Sequence, residues 1–242
     1  MNKTKSQYQI RLSEKSGRSA PLQVGWIKND SVIKTQWIQL RSKDTLLQWQ
    51  ANEADYIAIN PYHNFPESNK RNNWKPLQTA LGLKPLSLRF VKDVEDPKRN
   101  QLFFNPVTDF NAYDGITMGL RLFNGRLKKQ LLNYEFSPQY TFLEKSWVGH
   151  LRVGTYFYNN NSQNYLTSFQ LSASSYHYNS SLRYKTFTPH LSFYFRTPDM
   201  RSNKAQLLRA SWYNVFREKD PNVETAPDYS VLNLQHLYSD KG

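Results

Sequence analysis

The sequence predicts an all-β chain: a small β-sandwich followed by an antiparallel, outer-membrane-barrel-like sheet of about six or seven long strands, open or incomplete. Three observations predict it. From Pro106 onward apolar and polar residues alternate with a period of two over long stretches. Aromatic residues make up 15% of a chain whose hydrophobic share is only 38%, as when every second residue alone must be apolar. Helical periodicity is absent from the first section, where short runs alternate with turns.

Residues 1–74 form the predicted sandwich. Its strands are Tyr8 to Leu12, Val24 to Ile27, Val32 to Leu40, Thr45 to Trp49 and Tyr56 to Ile59, with a turn at Asn29-Asp30. The expected buried residues on the first strands are Ile10, Leu12, Leu22, Val24 and Trp26. On the later strands they are Ile33, Trp37, Ile38, Leu47, Trp49, Ile57 and Ile59. Asn60-Pro61 and Phe65-Pro66 then punctuate the chain, followed by the polar run Asn69 to Asn73. Residues 75–105 are predicted to be a linker. Pro76, Pro85 and Pro97 fall within it, with one strand over Leu86 to Val91 and a short helix near Leu77 to Leu81.

Residues 106–242 are the predicted partial membrane barrel. In Asn133 to Phe142 the residues Tyr134, Phe136, Pro138, Tyr140 and Phe142 share one face, opposite Glu135, Ser137, Gln139 and Thr141. Gly115 to Asn124, Trp147 to Phe157, Thr186 to Phe195 and Gln206 to Arg217 repeat the pattern, with weaker members at Leu166 to Tyr178 and Tyr229 to Tyr238. Two readings fit: a soluble sheet with one wet face, or a membrane sheet whose apolar face meets lipid. Length favours the membrane. These strands run about 10–13 residues, against about 5–6 in soluble sheets and about 9–11 for a membrane strand. Tyr134, Tyr156, Tyr158, Tyr176, Tyr178, Tyr194 and Trp212 are expected near strand ends, as an interfacial girdle requires. Since membrane barrels close with at least eight strands, the sheet is expected to continue beyond Gly242 or to close on something else.

Thirty-two Lys and Arg against nineteen Asp and Glu leave a net charge of +13. The cations are spread, as at Arg121, Arg152, Arg183 and Arg209, so a polar barrel lining or lipid headgroups fit better than nucleic acid. There is no cysteine, which excludes disulfides and thiolate chemistry. No apolar run approaches the length of a membrane helix, and Met1 to Glu14 is polar throughout, so if the chain is exported its signal is expected to lie upstream.

No catalytic constellation emerges. His63, His150, His177, His190 and His236 show no paired zinc spacing. Glu53 with Asp55, and Asp93 with Glu95 and Asp96, fall in charged loops, and Glu135 stands alone on a polar face. No nucleophile elbow or phosphate loop is present. No catalytic, cofactor-binding or metal-ligating residue is therefore assigned.

Two segments carry a family resemblance. Ala54 to Pro61, continuing from Phe65 to Asn73, resembles the end of the β-sandwich that follows the catalytic domain in bacterial gluzincin aminopeptidases, the aminopeptidase N-like family. The matching positions are Asn60, Pro61, Pro66, Glu67, Asn69, Asn72 and Asn73. Phe110 to Leu120 resembles the Tyr-Asp-Gly-x-x-x-Gly opening of a barrel-type extension that some envelope members carry, at Tyr113, Asp114, Gly115 and Gly119. The resemblance implies a non-catalytic C-terminal piece of an envelope zinc metallo-aminopeptidase, supporting and anchoring the peptidase domain at the outer membrane. Its partners would be that upstream domain and outer-membrane lipid, and zinc would lie in the upstream domain, since this chain has no His-Glu-x-x-His segment. The piece alone should be inactive as a peptidase. Two other readings stay open: a stand-alone outer-membrane barrel for transport or adhesion, and a soluble all-β module that binds carbohydrate or protein through Trp26, Trp37 and tyrosine residues.

Overall fold

The computed structural model describes residues 2–4, 7–13, 21–39, 44–50, 54–65, 67, 70–77, 79, 82–91, 94–125, 131–159, 162–199, 201–222, 224 and 226–240. The chain is all-β. Among the described residues there is no α-helix, only single 3-10 turns such as Arg71–Asn73. Residues 1–87 with 94–101 make one compact unit; 88–93 with 102–242 make a second.

The first unit contains seven strands: β1 (Asn2–Thr4), β2 (Gln7–Ser13), β3 (Pro21–Lys28), β4 (Ser31–Gln39), β5 (Asp44–Gln50), β6 (Tyr56–Ile59) and β7 (Trp74–Pro76). One sheet has the order β1-β2-β5, the other β4-β3-β6-β7. Leu12 from the first sheet packs with Val24, Trp26, Ile38 and Ile57 of the second, closed at one side by Ala54 and Leu77. Burying each large apolar side chain of this kind contributes roughly 1.5–3 kcal/mol. Central strand β3 is buried on both faces, because Ile27 lies in a second cluster with Ala58 and Trp74.

Two expected core residues are exposed. Trp37 is 53% and Ile33 48% accessible. β4 is an edge strand, and its register places Ile38 beside Leu22 on the core side, which turns Trp37 outward beside Gln23. Ile33 falls at the bulge where the register shifts between Trp26 and Ile27; the extra residue has no partner to pack on. The side chains of Ile10, Leu47 and Trp49 lie outside the described residues.

The segment read as a linker contributes strands. It holds the end of β7, all of β8 (Leu86–Phe90) and the first half of β9 (Asn100–Asn111). Leu77 and Thr79 are bends, while Gln78, Ala80 and Leu81 of the expected short helix lie outside the described residues.

The second unit is one nine-stranded sheet. After β8 and β9 come β10 (Gly115–Phe123), β11 (Leu132–Thr141), β12 (Ser146–Tyr158), β13 (Asn164–Asn179), β14 (Leu182–Arg196), β15 (Ala205–Arg217) and β16 (Tyr229–Ser239). Their spatial order is the sequence order, and β9 to β16 pair antiparallel throughout. The seven expected strands are all there; β8 and β9 raise the count to nine. The sheet is not closed, with β8 and β16 as its edges.

Its two faces differ in polarity and, at many positions, in side-chain size. One face carries Gly119, Ser137, Gly154, Ser168, Ser192 and Ser211; the other carries Phe136, Leu151, Phe169, Phe187, Leu208 and Trp212. A curled sheet has less room on its concave side, so small side chains suit that face and bulky ones the convex face. Burial follows this, and it inverts the usual order. Ser137, Gln139 and Thr141 are fully buried, whereas Trp147 is 63% and Leu234 73% exposed.

Pro138 marks one corner of the curl. It sits mid-strand in β11, where proline cannot donate to a ladder, opposite Gly149 of β12. On the other side the ladder to β10 is interrupted at this level, between Gly119 and Leu122. A Cβ on Gly119 would lie 2.0 Å from the Pro138 carbonyl oxygen, and one on Gly149 2.0 Å from that of Ser137. Gly149 also holds φ +137°, a conformation reserved for glycine. Three strands thus bend together because both neighbours of the proline lack side chains there.

The expected aromatic girdle needs correction. Tyr156, Tyr176 and Tyr194 share the concave polar face, and Trp212 lies mid-strand. A different set of aromatics, Phe110, Phe142, Trp147 and Phe216, is exposed near one end of the strands. Position near a strand end does hold for Tyr134, Tyr156, Tyr158, Tyr176, Tyr178 and Tyr194; what fails is the outward face for Tyr156, Tyr176 and Tyr194, which register sets, and the end position for Trp212.

Candidate functional site

The first family-like segment closes into a hydrogen-bonded clamp within the first unit. Asn60 ends β6 at φ +50°, and its side-chain amide donates to Glu67 Oε1 at 2.6 Å and to the Phe65 carbonyl at 3.0 Å. The other oxygen of Glu67 accepts from the amide of Asn73. Pro61 is buried against Gly25, whose hypothetical Cβ would fall 2.7 Å from the proline ring. Asn72 is exposed, and Pro66 and Asn69 lie outside the described residues. The sequence order is a strand terminus, a carboxylate and an asparagine; the fold makes them one contact. Its chemistry is structural.

The second segment forms a lock inside the second unit. Asp114, in the turn between β9 and β10, is fully buried. Its carboxylate meets Nδ1 of His177 at 2.6 Å and accepts from the Asn111 amide at 2.8 Å and the His177 backbone N–H at 3.1 Å. Arg183 Nε donates to His177 Nε2 at 3.2 Å, so the partners fit the tautomer with its proton on Nδ1. His177 belongs to β13, with β11 and β12 lying between it and β10 in the sheet. In a flat sheet three strand spacings are about 14 Å; the carboxylate–imidazole contact therefore records the curl. Tyr113 is exposed, with its N–H donating to the Asn111 side chain, and Gly115 holds φ +65° beside Leu143.

Midway along the concave face lies a charged cluster. Glu135 of β11 accepts from Arg121 of β10, meets His150 Nε2 at 2.9 Å and has Arg152 Nη1 of β12 at 3.5 Å. Glu135 is therefore not alone on its face, contrary to expectation, because the register sets Arg152 directly opposite it. His150 Nδ1 is 3.4 Å from the Tyr176 hydroxyl. Arg121 also stacks over Phe123 at 4.9 Å. A cavity of about 720 Å³ opens beside this cluster, lined by Arg121, Arg152, Asn133, Gly154, Gln170 and Ser172 among others. Beyond it, His190 Nδ1 faces Ser211 Oγ at 2.8 Å. No carboxylate orients that imidazole among the described residues, so the pair lacks the third member of a nucleophilic triad.

Among the described residues no three His, Asp or Glu converge to ligate an ion, and no helix is long and apolar enough to cross a membrane. Trp26 is buried in the sandwich core, which removes it as a contact surface; Trp37 is exposed and stacks edge-on with Phe65 at 6.2 Å. No family model matches the chain, and neither a curated protein nor a solved structure matches it significantly.

Proposed function

We propose that the nine-stranded sheet is the wall of an outer-membrane β-barrel, its convex face against lipid, and that the chain anchors a zinc aminopeptidase domain there without contributing catalytic residues. One observation carries the membrane half: the inverted burial. Large apolar side chains such as Phe136, Leu151, Phe169 and Leu208 project outward, while most of the fully buried side chains of the sheet, such as Ser137, Gln139, Thr141, Ser168 and Ser192, are polar. In water such an outer face costs free energy in proportion to its apolar area; in hydrocarbon it does not. Strand length adds support, since β12 to β15 span 13, 16, 15 and 13 residues. So do the outward aromatics near one end of the strands. The peptidase half rests on the likeness at Asn60 to Asn73 and Tyr113 to Gly119. Both segments are knotted into buried polar contacts, as anchoring and joining elements require.

Brominated-lipid quenching tests the membrane half. The chain refolded into vesicles should lose Trp147 and Trp212 fluorescence to bromines in the acyl chains, and Trp147→Phe and Trp212→Phe should each remove part of that quenching. A chain that stays in the aqueous phase with unquenched fluorescence refutes it. The peptidase half is tested by assaying the native full-length protein for bound zinc and aminopeptidase activity. Absence of both leaves the barrel but removes the enzyme.

A further inference from the structure

The geometry points to an anion-binding site in the cavity between Arg121, Arg152 and Gln170, one that takes a small organic acid bearing a carboxylate or phosphate next to an apolar group. It goes beyond the membrane reading and does not depend on it. The cavity volume, about 720 Å³, falls within the range of small-molecule pockets.

Charge argues for an anion. Two guanidinium groups share one carboxylate, Glu135, which leaves a positive excess at the wall. Both Glu135 oxygens are already engaged, by Arg121 on one side and by His150 and Arg152 on the other, so its own charge is offset. The other inner-face carboxylate of these strands, Asp109, accepts from the Gln139 amide at 2.8 Å. Arg121 is held by Glu135 and the Phe123 ring, yet its buried Nε has no partner among the described residues. Arg152 is 63% exposed in its side chain and touches Glu135 through Nη1 alone at 3.5 Å. Among the described residues Arg152 thus keeps most of its guanidinium donors free beside Arg121, and a guanidinium group is the side chain that best pairs with a carboxylate or phosphate.

Shape is set by register. Asn133, Gly154 and Gln170 form one cross-strand row, and Glu135, Arg152 and Ser172 the next. Glycine and serine keep the floor of the cavity low between the long side chains. A Cβ on Gly154 would already stand 3.3 Å from Gln170 Cγ, so a larger residue fills the space. Phe123 and Val91 supply apolar wall for the uncharged part of the ligand.

Titration calorimetry on the whole chain, folded in detergent micelles, tests this with phenyl phosphate and hippurate as phosphate and carboxylate probes and benzyl alcohol as the uncharged control. At least one anion should bind at a single site while benzyl alcohol does not, and the tighter probe identifies the acid group. Arg152→Gln should weaken binding tenfold or more, and Gly154→Leu should abolish it. Arg209→Gln, on the same face outside the cavity, should leave it unchanged. The proposal is overturned if neither anion binds, if benzyl alcohol binds equally, or if Arg152→Gln binds as the unsubstituted chain does. Circular dichroism establishes that each variant is folded; should Gly154→Leu not fold, the affinity of Arg152→Gln decides the matter alone.

Discussion

Replacing Leu120 by arginine separates a lipid-facing sheet from a water-facing one by sign and size. Leu120 projects from the convex face of β10 and is 47% exposed. It lies five residues along from Gly115, which at about 3.4 Å per residue and a tilt of about 45° is about 12 Å, the middle of an apolar band about 25 Å tall. An arginine at that depth costs about 2–4 kcal/mol, a factor of about 30 to 900 in the folding equilibrium. Phe110 supplies the internal control: it pairs with Ile116 at the end of the strands, where the same change costs about 0–1 kcal/mol. In water both positions are ordinary surface, and both substitutions stay within about 0.5 kcal/mol. Urea titrations of Leu120→Arg and Phe110→Arg in phosphatidylcholine vesicles, followed by tryptophan fluorescence, measure the difference. Equal and small effects at the two positions would refute the membrane reading, whatever the variants do to yield.

Three further outcomes are expected. Gly119→Ala should prevent β10 from pairing with β11, since its Cβ meets the Pro138 carbonyl at 2.0 Å; Gly125→Ala, with only a Phe123 carbon at 3.7 Å, should be tolerated, and thermal unfolding of the two variants compares them. Glu67→Ala strips the buried amides of Asn60 and Asn73 of an acceptor and should destabilise the first unit by about 1–3 kcal/mol in a denaturant titration. The hydrogen bond and charge of Lys98 hold the Asp30 carboxyl below its ordinary range. A depressed carboxylate stabilises the fold above its unfolded value, about pH 4, and loses that contribution as pH falls through its lower folded value. Because Asp30 is largely exposed, the pair is worth about 0–1 kcal/mol, so Asp30→Asn should flatten the acid limb of the stability curve only slightly, and not alter it at neutral pH by more than that.

Strand existence was legible wherever alternation ran unbroken. β10 to β16 follow from a period of two, and so do the five strands expected in the sandwich. β9 was hidden because Pro106 and the polar residues Asn100, Gln101 and Asn105 disguise its alternation, and proline marks a break in isolation. Ile33 was misplaced because it falls at a bulge, which is set by the neighbouring strand, and Trp37 because it and Ile38 are consecutive in one strand and only one of them can face the core. Hydrophobic pattern specifies a face; it does not specify which strand covers it.

The candidate sites were the least legible because they are made by register. Glu135 sits opposite Arg152, diagonal to Arg121, and two strands from Tyr176, which reaches the cluster through His150; no fixed sequence spacing encodes that group. Asp114 and His177 lie 63 positions apart and touch only because the sheet curls. The curl itself does leave a trace in the sequence. At several positions a small residue on one face backs a bulky apolar one on the other, as Ser137, Gly119 and Gly154 back Phe136, Met118 and Val153. Such asymmetry of size, added to asymmetry of polarity, bends a sheet toward its polar side, because bulky residues need the greater area of a convex surface. A soluble sheet bends the other way, around its large apolar residues. The direction of bending, rather than the alternation alone, is therefore what the proposed lipid-facing role of the outer face rests on.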